Sequence, residues 1–435
     1  LQLCGGPSRA LAALSGPMDN PRLRERLRRL GLRQGAAAVK PQTERRSRAI
    51  EELLSGEVVD TGLGSFFLYR ESYEADYRHG QHTLTALLDQ PLEIAARLAR
   101  DERLAGVDHQ RIAFVDTETT GLAGGTGTYA FLVGVGVFEG DRFTIHQFFM
   151  RDYHEEPAQM QALGELLDGM EAVVSFNGKS FDLPLLETRF IMTRQSPRLD
   201  GAPHLDLLPV ARRLWKYRLP SCALSSLEEE ILGVQRTHAD VPGWLIPSLY
   251  AEYARTGDAR EMPRIFYHNA QDILSLVTLT VQQGELLALS LPLETGIPGE
   301  DLYGLGRLLF DLGQFDRAEA AFKRAAETSR SARVREMAMR DLSYLLKRQE
   351  RRAEALPWWQ QLVETSEAVY ACEELAKHYE WQNPDLAQAL IWTRRGIALT
   401  KAWPRNPRRR TTLEDLRHRL ERLEHKLDVQ GAEGE

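Results

Sequence analysis

Residues 111–120 read RIAFVDTETT, and no other stretch limits the fold as strongly. Four apolar residues in succession, Ile112, Ala113, Phe114 and Val115, run directly into Asp116, Thr117 and Glu118. Such a run reads as a buried strand whose C-terminal end opens into a site. Side chains at i and i+2 of a strand point the same way, so Asp116 and Glu118 share one face. Two carboxylates that close repel each other unless a cation lies between them or one is protonated. An isolated D-x-E is more simply a solvated turn, so the weight falls on whether the rest of the chain supplies partners.

The chain order predicts a mixed sheet with flanking helices, an α/β domain, over residues 111–291. After the acidic strand, residues 129–138 and 142–150 read as a hairpin turning at Glu139-Gly140-Asp141. A helix over 157–167 leads to an apolar strand over 172–176, and Asn177-Gly178 turns into a helix over 181–192. Further helices are expected over 205–215, 224–232 and 245–256, with a long one over 264–289 closing the region. Upstream, residues 1–45 read as a flexible N-terminal extension carrying a basic run from Arg22 to Arg33, taken as a solvated helix. The chain begins with Leu1, and Met18 is an alternative start. Residues 46–110 read as a lead-in packed on the α/β domain: a helical start over 46–54, a strand-and-turn section over 58–69 and a helix over 84–100. It has too few apolar residues for a core of its own.

Pro292 and Gly299 bound a linker, and the chain beyond it, 300–435, is helical and repetitive. Gly306, Ala318, Phe322 and Ala325 recur, shifted by 37 residues, as Ser343, Ala355, Trp359 and Leu362. Small residues at these places let paired helices approach while aromatics fill the groove, which is tetratricopeptide spacing. A third, looser unit holds Tyr379, Ala389 and Trp392. A charged amphipathic helix over 412–427 reads as the polar cap such a stack requires.

Three further groups are candidates to complete the site at Asp116 and Glu118. Asp182, in SFNGKSFDLPLL, stands after a strand and turn at the start of a helix, where an acid is also favoured by the helix dipole. His268 and Asp272, in YHNAQDILSL, lie four apart and so on one helical face, packed by Ile265, Ile273, Leu276 and Leu279. Four carboxylates and an imidazole are what a two-metal phosphodiesterase needs: hard oxygen ligands suit two Mg²⁺ or Mn²⁺ ions, and an imidazole can take a proton from water.

DTET, FNGKSFD and HNAQD, in this order, resemble the three exonuclease motifs of the DEDD group in the ribonuclease-H-like superfamily. Together with the lead-in and the tetratricopeptide-like helices, they resemble the bacterial YprB family. The resemblance implies a metal-dependent 3′→5′ exonuclease acting on DNA ends or single strands, paired with a helicase or another repair protein. It assigns Asp116, Glu118, Asp182 and Asp272 as the metal-binding acids. The base is His268, four residues before Asp272, where the tyrosine-type subgroup has Tyr; the histidine-type subgroup places His five before, and that position here is Tyr267, the runner-up. Rival readings on the same site are a ribonuclease, a structure-specific endonuclease, or a catalytically weak scaffold recruiting a partner through its repeats.

Thr119, Tyr129, Asn177 and Lys179 are candidate substrate contacts, with the glycine-rich loop 121–127 approaching a terminal nucleotide. Asp206 reads as a helix cap. NGKS at 177–180 is not a P-loop, because Val173 stands where the first Gly is required. Gly134 and Gly136 lie in a strand and read as packing positions. The basic runs at 347–352 and 408–410 read as solvated faces. A net charge of −7 does not mark the whole chain as a nucleic-acid binder, so local basic patches carry that question. Cys4, Cys222 and Cys372 form no metal-ligand or disulfide pattern and suit a reducing cytoplasm, with Cys222 expected to be a buried thiol. No membrane span and no signal peptide are expected.

Overall fold

The computed structural model describes residues 47–74, 76–121, 126–196, 201–293 and 296–433. The N-terminal extension, its basic run and most of the glycine-rich loop lie outside the described residues.

A seven-stranded sheet forms the centre. The first strands, β1 (Glu57–Thr61) and β2 (Gly64–Glu74), make a hairpin. A small ribbon of β3 (Arg78–His79) and β4 (His82–Thr83) follows, then helices α1 (Thr85–Leu88) and α2 (Leu92–Ala99). The acidic stretch is β5 (Ile112–Thr119), followed by the hairpin of β6 (Ala130–Glu139) and β7 (Arg142–Phe149). Helix α3 (Glu156–Leu167), β8 (Ala172–Ser175), α4 (Asp182–Met192), the short β9 (His204–Asp206) and α5 (Leu207–Trp215) complete the alternating part. The sheet order is β1-β2-β7-β6-β5-β8-β9. Pairing is antiparallel from β1 to β5 and parallel from β5 through β8 to β9.

Strand alternation divides the core. Ile112 and Phe114 join Phe138, Phe143 and Ile145 on one face, beneath the long helix described below. Ala113 and Val115 join Val133, Val135 and Phe148 on the other, beneath Leu163 of α3 and Leu186 and Phe190 of α4. Both faces of β5 are thus sealed, as its apolar run requires.

Helix α6 (Leu224–Leu227) continues into a π-helical turn, Glu228–Leu232. After an irregular segment come α7 (Ile246–Thr256) and α8 (Met262–Ala288), whose Ile265, Ile273, Leu276 and Leu279 are all buried. The helical region comprises α9 (Gly299–Asp311), α10 (Phe315–Thr328), α11 (Ala332–Arg348), α12 (Arg352–Ser366), α13 (Val369–Trp381), α14 (Leu386–Lys401) and α15 (Pro407–Glu433). Phe322 and Trp359 occupy equivalent buried positions, and a side chain at Gly306 would strike the Phe322 ring, which is why the paired helices need a small residue there. The described residues from Arg48 onward form one compact unit.

Some expectations change. The stretch read as a lead-in gives the sheet its outer strands, because β2 pairs with β7 along eight residues. The single helix expected over 84–100 is two, divided by Pro91, whose missing N–H and fixed φ suit a helix start and not its middle. The helix expected from residue 205 begins two residues later, because His204–Asp206 pairs with β8 as a strand. Cys222 is half-buried where a buried thiol is expected, and burial still pushes its pKa up. The basic residues at 347–352 are engaged within the repeats: Lys347 and Arg352 with Glu374, Arg351 with Glu319, and Arg348 over the rings of Phe310 and Phe315.

Candidate active site

Alternation along β5 aims Asp116 and Glu118 towards α8 and turns Thr117 to the opposite face, towards α4. The strand register breaks between Glu118 and Thr119, where the sheet ends. Asn269 of α8, fully buried, donates from Nδ2 to Asp116 Oδ2 at 2.8 Å. Its amide is oriented by Gln147, which donates to Asn269 Oδ1 at 2.8 Å. This approach depends on Gly134, opposite Asp116 in β6, since a side chain there would overlap Asn269 and Ile273. The packing reading of Gly134 and Gly136 holds; Gly136 is likewise closed in by Phe143 and Ile273.

Asp182 opens α4 and is 5% exposed. Thr117 donates its hydroxyl to Asp182 Oδ1 at 2.5 Å. The turn that delivers Asp182 is pinned by Asp206, whose carboxylate accepts from the backbone N–H of Asn177 at 2.8 Å, of Lys179 at 3.2 Å and of Leu208 at 3.2 Å. Asp206 is therefore the expected helix cap and a loop anchor as well. Asn177 takes a left-handed conformation, φ 67°, at that turn.

On α8, His268 Nε2 stands 3.6 Å from Asp272 Oδ2 and 3.9 Å from Glu118 Oε1. Tyr267 points elsewhere, its hydroxyl accepting from the Thr237 N–H at 3.3 Å. His268 Nδ1 lies 2.7 Å from Asp240 Oδ1 and 3.0 Å from Arg236 Nη1. Arg236 also pairs with Asp272 and makes a fork to Glu228 at 2.6 and 2.7 Å. Behind it, Ser275 donates to Glu228 at 2.6 Å and its oxygen accepts from His79 Nε2 at 2.8 Å.

The electrostatics follow from this crowding. Burial, then the charges of Asp272 and Asp182, hold the Asp116 carboxyl well above the usual carboxylate range. Burial and the neighbouring acids, Asp116 first, do the same to Glu118. Burial pushes Asp182 up to about 6 against the opposing Thr117 hydrogen bond. His79, buried and facing Arg236, is driven down to about 4.

Asp116, Glu118, Asp182, Asp272 and His268 are thus brought to one strand end from β5, α4 and α8. As they stand, no three acidic, imidazole or thiol side chains among the described residues close on a common point at metal-ligand range. Asp272 is turned onto Arg236, and Asp182 and Asp116 are held by Thr117 and Asn269. The donor set nevertheless fits divalent cations in kind: anionic oxygens, buried, in mutual repulsion that a cation would relieve.

The candidate substrate contacts are dispersed. Thr119 donates its hydroxyl to the Gly121 carbonyl at 2.9 Å. The Tyr129 ring lies 4.1 Å beneath the Arg189 guanidinium, which also ties Glu156 and the Thr126 carbonyl. Asn177 and Lys179 are exposed at the turn before α4. Sequence reasoning misses Asn269, Gln147, Arg236, Asp240 and Glu228. Asn269 lies inside the HNAQD motif, one residue after His268, whereas the loop residues carry no periodicity to mark them.

Among the described residues no helix is long and apolar enough to cross a membrane. Comparison with known proteins agrees with the geometry. Residues 113–283 match the RNase_H superfamily model, and residues 302–333 and 337–371 match a Tetratricopeptide repeat model. The chain is similar to "Uncharacterized protein YprB" of Bacillus subtilis (strain 168), 32% identical over 333 residues, covering 75% of this chain and 79% of that protein. The chain therefore belongs to the YprB-type family of proteins, with a ribonuclease-H-like nuclease domain followed by C-terminal tetratricopeptide repeats.

Proposed function

We propose that the chain is a metal-dependent 3′→5′ exonuclease that hydrolyses phosphodiester bonds of DNA by a two-metal mechanism, in DNA repair. The observation that carries the reading is the convergence of Asp116, Glu118, Asp182 and Asp272 on one strand end, with the His268 imidazole within 4 Å of two of them. These four acids would hold Mg²⁺ or Mn²⁺, which when bound supply charge neutralisation and Lewis acidity at the scissile phosphate.

The chain's own groups do the rest. His268 Nε2 lies on the side of Glu118 and Asp272, and in the tautomer that donates Nδ1–H to Asp240 it would be the nitrogen that accepts a proton from an attacking water. Thr117 and Asn269 fix the carboxylates of Asp182 and Asp116, and the exposed Lys179 ammonium is available to a substrate phosphate. The repeats offer a surface for a protein partner such as a helicase.

The test is release of mononucleotides from labelled DNA and RNA, with each end free or blocked, in Mg²⁺ or Mn²⁺. Wild type should act from free 3′ ends of DNA, and Asp116→Ala and Asp272→Ala should each lose about a hundredfold or more. Equal rates in all three proteins end the reading. Preference for RNA, or cleavage with both ends blocked, moves it to a ribonuclease or an endonuclease. His268→Ala should slow the reaction by about 10²- to 10⁴-fold; a loss confined to Tyr267→Phe transfers the base to Tyr267.

A further inference from the structure

A cleft of about 350 Å³ opens between α2, α5 and the first repeat helix α9, on the side of the turn that delivers Asp182. Its rim carries five cations: Arg100, Lys179, Arg212, Arg213 and Lys216. Its floor is apolar, with Val210 and Leu308 largely buried beneath. In a chain of net charge −7 this is a local reversal of sign.

The rim charges are poorly balanced. Lys179, Arg212 and Lys216 are exposed and make no ion pair among the described residues. Arg100 and Arg213 share the single carboxylate of Asp311. The acid lining the cleft, Asp206, is occupied by three backbone N–H groups. Burial, and after it the nearby charges of Arg307 and Arg100, hold the Arg213 pKa down. Lys179 stands three residues before Asp182, so the cleft begins within about 10 Å of chain from a candidate metal ligand.

We propose that this cleft holds the sugar-phosphate backbone of a nucleic-acid strand running to the candidate active site, with Arg212, Lys216 and Lys179 on the phosphates and the apolar floor under sugar or base. A bare phosphate would use the rim and leave the floor unused; a strand uses both. Because Leu308 belongs to the repeats, the helical region would supply part of the substrate path as well as a partner surface. The assignment rests on the nuclease reading above, and the experiment separates the two.

Binding of a fluorescent single-stranded DNA to the full chain is followed by anisotropy without divalent ions, across a salt series. Arg212→Gln/Lys216→Gln should weaken binding at least tenfold and reduce the slope of log Kd against log salt by about 1.4, near 0.7 for each phosphate that is no longer neutralised. The charge-keeping Arg212→Lys/Lys216→Arg protein should retain affinity and slope, which excludes misfolding as the cause. Unchanged affinity and slope in the Gln protein overturns the cleft, whatever the hydrolysis assay shows. Displacement by inorganic pyrophosphate as effective as by the oligonucleotide, at equal phosphate, overturns it in favour of a free-anion site. Failure of wild type to bind any strand overturns the cleft and leaves the nuclease reading to the hydrolysis assay. Binding that depends on the cleft in a protein that does not hydrolyse keeps the cleft and removes the nuclease reading alone.

Discussion

Asp182 shows how single residues set the balance of this site. Its carboxyl is buried, faces further acids and is pushed up to about 6, so the folded chain binds that proton more tightly than the unfolded chain does. The stability this group contributes is complete below the ordinary carboxylate range and is lost as pH rises through about 6. Asp182→Asn keeps an oxygen to accept from Thr117 and carries no charge. In metal-free protein it should raise the unfolding free energy at pH 7.5 by on the order of 2 to 3 kcal/mol, seen as a higher melting temperature, and leave stability nearly unchanged near pH 4. An equal effect at both pH values would show that the burial of charge is not the cause. Arg236 has the opposite role, as the cation that Asp272 and Glu228 share. Glu228 is 2% exposed, so Arg236→Met leaves a buried carboxylate without its partner, at a cost of about 3 to 5 kcal/mol. Thermal melts should also show Mg²⁺ or Mn²⁺ stabilising this variant more than wild type, since Asp272 is then released. A metal effect equal to that on wild type would mean that Arg236 does not compete for Asp272.

At the scale of elements, what can be read in the chain and what cannot divides by periodicity. Ile112 to Glu118 declare a buried strand with two acids on one face, and α8 declares itself through Ile265, Ile273, Leu276 and Leu279. The repeats are legible because Gly306, Phe322 and Trp359 recur at fixed spacing. Arg236 and Asp240 are not, since they sit in an irregular segment whose placement against α8 is decided by tertiary contacts. Nor is the union of β2 with β7, because strand pairing across a long separation leaves no mark in either strand alone. The cap, α15, is visible as an amphipathic helix, but its anchor is not. Glu380 of α13 is buried beneath it and receives Arg419 at 2.7 Å, Arg422 at 2.9 Å and Lys426 at 2.8 Å. Leu423 of α15 is fully buried against Leu386 and Leu390 of α14. Removing residues 407–435 should therefore expose both a lone carboxylate and an apolar strip, lowering the melting temperature and causing association at rising concentration. Light scattering that shows the truncated chain monomeric and equally stable would deny α15 this role.

Across the whole molecule, the helical region is docked on the sheet domain through close backbone contact. A side chain at Gly304 of α9 would overlap the carbonyl oxygen of Leu214 in α5, so the two helices meet where only hydrogen fits. Around that contact Arg218 pairs with Asp301 at 2.8 Å, and Arg307 donates to the Tyr217 hydroxyl at 2.7 Å. Leu302, Leu305 and Leu309 enter the same buried cluster as Leu214, Ile273 and Leu287. One continuous core of this kind couples the unfolding of its parts, so calorimetry on the full chain should show the sheet domain and first repeat melting in a single transition. Gly304→Val replaces a backbone contact with a clash that rotamer changes cannot relieve, because the opposing atom belongs to a helix backbone. The variant should split that transition into two, with the repeats melting first, and should weaken strand binding as well, because Leu308 moves with α9 away from the basic cleft. A single unshifted transition in Gly304→Val would show that the docking tolerates the added side chain, and that the repeats are held to the nuclease domain by something other than this crossing.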